Sequence, residues 1–397
     1  MAVNSLTFNQ LATVLNSIVS QATGKTAITP TNTGEFTSVA NVALSTGYDP
    51  LMTAISQVLS RTIFSIRPYT RKFGGLEVSE QQFGNVTRKL NIADKDFEND
   101  DRFALTDGES VDMFKVNKPS VLQTNFYGAN IYQKSLTIYR DQLDNAFQNA
   151  DEFGRFITMI MTNASDLLEQ ARENMARATL ANFIGGKLEG DTDNVIHLLT
   201  EYNALTGLKL TATSVYQPEN FKAFVQWAYS RIAAISSLMT ERSQKFHVNV
   251  TKWGGASVDK SISRHTPYEY QKVYLYAPAR FQMEMMALAD TYHDGFLRLA
   301  YNETVNFWQS IDSPDTINVK PTYMTNTGGL TTAEDAVNRA NVFGVIFDRD
   351  AAGYTLVNQW SSPTPFNARG GYTNIFWHET ARYWNDFTEN GVVLLLD

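Results

Sequence analysis

Cysteine is absent from the 397 residues, which excludes disulfides, cysteine-based zinc sites and thiol nucleophiles together. No apolar run reaches the roughly 18 residues that a membrane-spanning helix needs. The first ten residues have neither a basic start nor a long apolar stretch, so no signal peptide is expected and the setting reads as cytosol-like. Positive charge is also short: 33 Lys and Arg against 41 Asp and Glu leave a net −8 at pH 7. A free-standing nucleic-acid binder needs clustered cations to neutralise phosphates, and this balance argues against one.

Catalytic and metal signatures are equally scarce. The five histidines (His197, His247, His265, His293, His378) are scattered, and neither HExxH nor GxSxG occurs. Gly24-Lys25-Thr26 looks like the end of a phosphate-binding loop, but Val19 stands where the first glycine belongs. Asp94, Asp96, Glu98 and Asp100 repeat at the spacing of calcium ligands. Asn99 replaces the turn glycine and Leu105 the bidentate glutamate of that loop. The bland reading of these four is a solvated acidic tip. His378, among Phe376, Trp377 and Tyr383, reads as a hydrogen-bonded core histidine. Triad residues need not be close in sequence, but nothing singles out a set. No catalytic residue, metal or cofactor is expected.

Aromatic residues are plentiful: 24 Phe, 18 Tyr and 6 Trp. They suit large interfaces as well as cores. Charge is unevenly spread. Residues 91–112 hold eight carboxylates against Lys95 and Arg102, a net of −6. Residues 61–89 hold Arg61, Arg67, Arg71, Lys72, Arg88 and Lys89 against Glu77 and Glu80, a net of +4. Adjacent blocks of opposite sign suit a protein that meets copies of itself. The candidate inter-subunit contacts are therefore Asp94, Asp96, Asp100 and Asp101 on one side and Arg71, Lys72, Arg88 and Lys89 on the other.

Phe8, Leu11, Leu15 and Ile18 hold helical spacing, after which residues 20–49 turn polar and read as an extended arm without a core. Asp49-Pro50 should open a helix with Leu51, Ile55, Val58 and Leu59 on its inner face. Residues 67–128 read as a long two-stranded excursion, too poor in apolar residues to fold unaided. The strongest helix signal covers residues 151–184, with an apolar stripe from Phe153 through Ile157, Leu168 and Ala178 to Phe183. Gly185-Gly186 should end it.

Residues 191–341 form a middle region. In it Pro218 starts a helix with Phe221, Phe224, Ile232 and Met239 inward, and residues 273–277 form a buried strand. Pro278 should begin another helix with Phe281 inward. Strands return at residues 342–347, 354–357 and 375–384. The wholly apolar residues 391–396 must be buried in a sheet.

This order of parts resembles the major capsid proteins of tailed phages, of the α+β Hong Kong 97 fold, and most of all those of small short-tailed picovirus-type phages. The resemblance is carried by residues 51–68, 121–140, 151–186 and 342–397. It implies an N-terminal arm at residues 1–49 and an extension loop at 67–128, which lies over a neighbour. It places an axial domain at 191–341 and a peripheral domain in 50–66, 129–190 and 342–397. The implied function is non-enzymatic: hexamers and pentamers closing an icosahedral shell around double-stranded DNA, assembled in the bacterial host cytoplasm into the virion. Scaffolding, portal and head-fibre proteins would be partners, DNA would be contacted without sequence preference, and no membrane is involved. Some relatives carry a further immunoglobulin-like domain, which is not expected here. Lys89, Lys95 and Lys115 lie in the loop, but no motif assigns them a covalent partner. The alternatives are a tail or connector ring component, a cytosolic enzyme without a recognisable motif, and a surface-layer or other lattice protein, which would normally carry an export signal.

Overall fold

The computed structural model describes residues 7–25, 29–61, 72–78, 86–93, 105–114, 116, 118–127, 130–147, 150–278, 280–281 and 302–397. Seven helices are assigned among them: α1 (Phe8–Thr23), α2 (Thr33–Ser45), α3 (Tyr48–Arg61), α4 (Arg140–Ala146), α5 (Ala150–Gly190), α6 (Leu198–Thr206) and α7 (Pro218–Thr240). The strands run β1 (Val86–Ile92), β2 (Val121–Tyr127), β3 (Asn130–Tyr139), β4 (Val195–His197), β5 (Val250–Trp253), β6 (Ala256–Lys260), β7 (Gln271–Tyr276) and β8 (Asn302–Val305). They continue as β9 (Ile317–Val319), β10 (Thr322–Met324), β11 (Leu330–Thr332), β12 (Val337–Arg339), β13 (Val342–Asp348), β14 (Ala352–Pro363), β15 (Tyr372–Asn385) and β16 (Gly391–Leu395). Two units emerge. One comprises Met1–Gly84, Gly128–Met175 and Thr355–Arg382; the other comprises Asn85–Tyr127, Ala176–Tyr354 and Tyr383–Asp397.

The first unit is built on a helical cluster. Leu11, Leu15 and Ile18 of α1, Leu51 and Ile55 of α3, and Phe153, Ile157 and Ile160 of α5 are all buried together. The expected extended arm is instead partly helical. Asn32 caps α2 by accepting from the Glu35 N–H at 2.9 Å, and Phe36, Ala40 and Ala43 are fully buried. Three small or aromatic residues at helical spacing suffice because Phe36 meets the rings of Phe8 and Phe153, with centroids 6.2 and 5.6 Å away. Gly24 is a helix cap, not part of a phosphate loop: at φ +68° its N–H returns to the Ser20 carbonyl. A sheet ordered β14-β15-β3 contributes Ile138, Ile375 and Trp377 to the same core.

The second unit centres on a five-stranded sheet ordered β4-β16-β13-β7-β8. Alternate residues of a strand face opposite sides. Val273, Leu275, Ile346, Val392 and Leu394 pack with Phe221, Phe224, Ile232 and Met239 of α7. On the opposite side Phe347 meets the ring of Phe183 from α5 at 5.5 Å. Because both faces are covered, β16 must be apolar at every position, and all five of its residues are buried.

Helix α5 has 41 residues, about 60 Å at 1.5 Å per residue. Gly185 and Gly186 do not end it. They lie inside the helix, where a Cβ on Gly185 would sit 2.6 Å from Val319 Cγ1 and one on Gly186 would meet the Phe387 ring and Tyr323 Cβ. Close approach, not termination, is why glycine stands there. Ala178 is exposed and Leu168 half-buried, so the apolar stripe is interrupted where the helix passes from one unit's residues to the other's. Phe281 is exposed, contrary to its expected inward face, and the rest of that expected helix lies outside the described residues.

Candidate assembly surface

Strands β1 and β2 form an antiparallel hairpin from Val86↔Tyr127 to Ile92↔Val121, and the Ala93 N–H extends it by donating to the Ser120 carbonyl at 2.8 Å. An ordinary half-buried strand turns its apolar residues inward. Strand β1 does the reverse. Asn91 is buried and Lys89 half-buried, while Leu90 is 61% and Ile92 64% exposed. Ile92 is paired with Val121, which is also exposed, so this face of the hairpin offers an apolar stripe to whatever covers it. Farther out, Met113 and Phe114 are 83% and 79% exposed.

The inward face is held by charge. Lys89 Nζ pairs with both Asp386 and Glu389. Arg264 donates to Asn91 Oδ1 and to the Thr388 carbonyl, and lies 3.3 Å from Glu389. Burial pushes the Glu389 carboxyl up, against the pull of Lys89 and Arg264. Asp386 Oδ1 also accepts from the Thr388 N–H at 2.9 Å and from its hydroxyl at 2.6 Å. Charge-assisted bonds of this kind are the strong ones, and they fasten the base of the hairpin to the turn between β15 and β16.

Beside this clamp, His247 is buried with Nδ1 3.0 Å from Asn390 Oδ1 and Nε2 2.6 Å from the Ile262 carbonyl. Burial holds the imidazole below its ordinary range, although acceptors stand at both nitrogens. Lys187 of α5 is fully buried, 2.5 Å from Asp191 and donating to the Phe246 carbonyl at 3.2 Å. Desolvation lowers its pKa.

The expected contact residues fare unevenly. Asp94, Asp96, Asp100, Asp101 and Arg71 lie outside the described residues. Arg88 is exposed on β1 and Lys72 exposed beside Phe73. Lys89 is not a free cation: its ammonium is engaged inside its own chain. Sequence reading missed Asp386, Glu389 and Arg264. A signal existed, since residues 385–390 put a polar run between two strands that must both be buried. His378 is half-buried and stacks on Trp360 with ring centroids 4.0 Å apart, rather than sitting in the core. Among the described residues no three His, Asp or Glu gather as a metal site, and no helix is long and apolar enough to cross a membrane.

Residues 15–395 match the family described as Phi29-like phage major capsid protein. The chain belongs to that family. This major capsid protein is a structural component of the phage virion. Its fold is similar to a chain in the capsid structure of Staphylococcus phage Andhra, at 11% identity and a TM-score of 0.54 over 85% of this chain and 87% of that one. The same values relate it to a chain in the structure of head fiber and inner core protein gp22 of native bacteriophage P68. At such identity the likeness concerns fold alone, and that fold is the Hong Kong 97 type of capsid proteins. No curated protein sequence matches the chain.

Proposed function

We propose that the capsid protein closes an icosahedral shell of pentamers and hexamers around double-stranded DNA, with residues 67–128 as an extension loop laid over a neighbouring subunit. The inverted faces of β1 carry this reading: polar Lys89 and Asn91 point in, while apolar Leu90 and Ile92 point out. An exposed apolar surface of this kind marks an interaction site. Residues 191–341 serve as the axial domain, and the rest, with the arm, as the peripheral domain. The acidic tip, with Asp94, Asp96, Asp100 and Asp101, seats against cations of a neighbour, among which Arg88 and Lys72 are exposed. Arg71 completes that basic group, while Lys89 fixes the hairpin from within. Assembly takes place in the host cytoplasm with scaffolding, portal and head-fibre proteins, and the net −8 suits a shell that holds DNA without gripping it.

The test replaces residues 94–119 by Asn-Gly, a two-residue turn that suits a hairpin closing at Ala93 and Ser120. The expected product is a folded, soluble subunit that forms no shells in electron micrographs. Shells of normal size from this variant would overturn the assignment.

A further inference from the structure

The second unit contains a cavity of about 680 Å³ beside the hairpin, lined mainly by apolar side chains. Leu122 and Phe126 of β2 form one wall, and Trp253, Met324, Leu330 and Phe387 form the others. Trp253 is 60% and Leu330 69% exposed. Two charged residues take part, Lys260 and Asp386. Asp386 is already neutralised by Lys89. Lys260 donates to the Val121 carbonyl at 2.9 Å, and no carboxylate among the described residues lies within salt-bridge distance of it. Gln123, Thr124, Asn125 and Asn385 also border it, but apolar side chains outnumber the polar ones. It is a largely apolar trough that carries the positive charge of Lys260.

We infer that this trough receives residues 111–114 of a second copy of the chain, with Phe114 and Met113 as the inserted side chains and the acidic flank of that segment drawn to Lys260. This rests on the extension-loop reading above and names the surface on which the loop lands. Self-association is required of a capsid protein, so the occupant is a second copy. The segment and the trough complement one another in two independent respects. Met113 and Phe114 are exposed in their own subunit, and apolar anchors seated in a pocket carry most interface energy. Asp107, Glu109 and Asp112 make described residues 105–114 acidic, and the trough carries the cation of Lys260. Gly108 adopts φ +91°, a left-handed turn that a side chain would resist; it bends the segment between Asp107 and Glu109.

A cysteine-free chain makes the test direct, because any disulfide must come from introduced thiols. Full-length Phe114→Cys subunits are mixed with Leu330→Cys subunits, assembled and oxidised. Disulfides need Cα atoms within about 7 Å, so a reducible dimer reports contact between copies. The control exchanges Leu330→Cys for Leu205→Cys, exposed on α6, and each variant is also oxidised alone. A dimer from the Leu330→Cys mixture that the controls lack supports the inference; dimer no stronger than with Leu205→Cys overturns it. If the cysteine variants fail to assemble, a labelled peptide of residues 105–116 is titrated onto unassembled wild-type and Leu330→Glu subunits. Binding lost in the variant supports the trough, and equal or absent binding to both overturns it. Failure here is separable from failure of the loop assignment. If replacing residues 94–119 abolishes shells but no cross-link forms, the loop reading stands and this landing site falls.

Discussion

Arg264 Nη2 donates to Asn91 Oδ1 at 2.7 Å, joining strand β1 to the residues that precede β7. The same guanidinium reaches the Thr388 carbonyl through Nε at 3.1 Å. A planar fork can serve both acceptors at once, and a lysine ammonium cannot reproduce that geometry. Arg264→Lys should therefore loosen the hairpin base while conserving charge. Hydrogen exchange of the β1 and β2 amides is the measurement, and protection equal to wild type in Arg264→Lys counts against a clamp.

Lys89→Met should be more damaging. It leaves Asp386, whose side chain is almost wholly buried, and Glu389 without their shared cation. Removing one member of a buried pair costs on the order of 3–5 kcal/mol, because the remaining charge stays buried. Denaturant unfolding of unassembled subunits should show the loss, and replacing all three residues with apolar ones should recover much of it.

Phe36→Ala tests whether residues 33–45 belong to the core. Truncating a buried phenylalanine costs about 3–5 kcal/mol, whereas a change in a solvated arm is close to neutral. An unfolding midpoint identical to wild type would return α2 to the status of a tail.

Gly186→Ala sets two effects against each other. Alanine in a helix interior gains about 1 kcal/mol over glycine, but overpacking a tight contact costs roughly 1–3 kcal/mol. The new Cβ would lie 2.9 Å from Tyr323 Cβ and closer still to the Phe387 ring, so the clash should win. Thermal unfolding should drop. A rise would mean that Phe387 moves freely.

His247 predicts a pH dependence. An ordinary histidine titrates near 6.5, and burial lowers this one in the folded chain, with Lys187 and Arg264 adding repulsion. Between about pH 6.5 and the lowered folded value the unfolded chain binds more protons, so stability is complete above the window and falls as pH falls through it. His247→Gln should flatten the acid limb of a plot of unfolding midpoint against pH. Burial raises the carboxyl pKa of Asp348 and Glu389, which acts with the opposite sign, so the difference between variant and wild type isolates the histidine. Parallel curves would count against this assignment.

Long periodic signals were legible. The stripe of α7 and the all-apolar β16 could be read directly, because helical spacing and two-sided burial leave distinct marks. The folded part of the arm could not, since Phe36, Ala40 and Ala43 amount to one ring and two methyls whose burial depends on Phe8 and Phe153. Gly185-Gly186 misled for a related reason: a glycine pair that ends a helix and one that lets Tyr323 and Phe387 approach look alike in sequence. The clamp escaped because its members are up to 300 residues apart, and charge counted in blocks places Lys89 with its neighbours instead of with Glu389.

The position of β16 between β4 and β13 has a consequence for the order of events in the cell. Translation delivers this inner strand after the other four strands of its sheet. Until residues 391–395 have emerged, β13 and β4 have no strand between them, and the turn carrying Asp386 and Glu389 is held only from the β15 side. A chain in which β16 has not yet formed therefore cannot fasten the hairpin to its own turn.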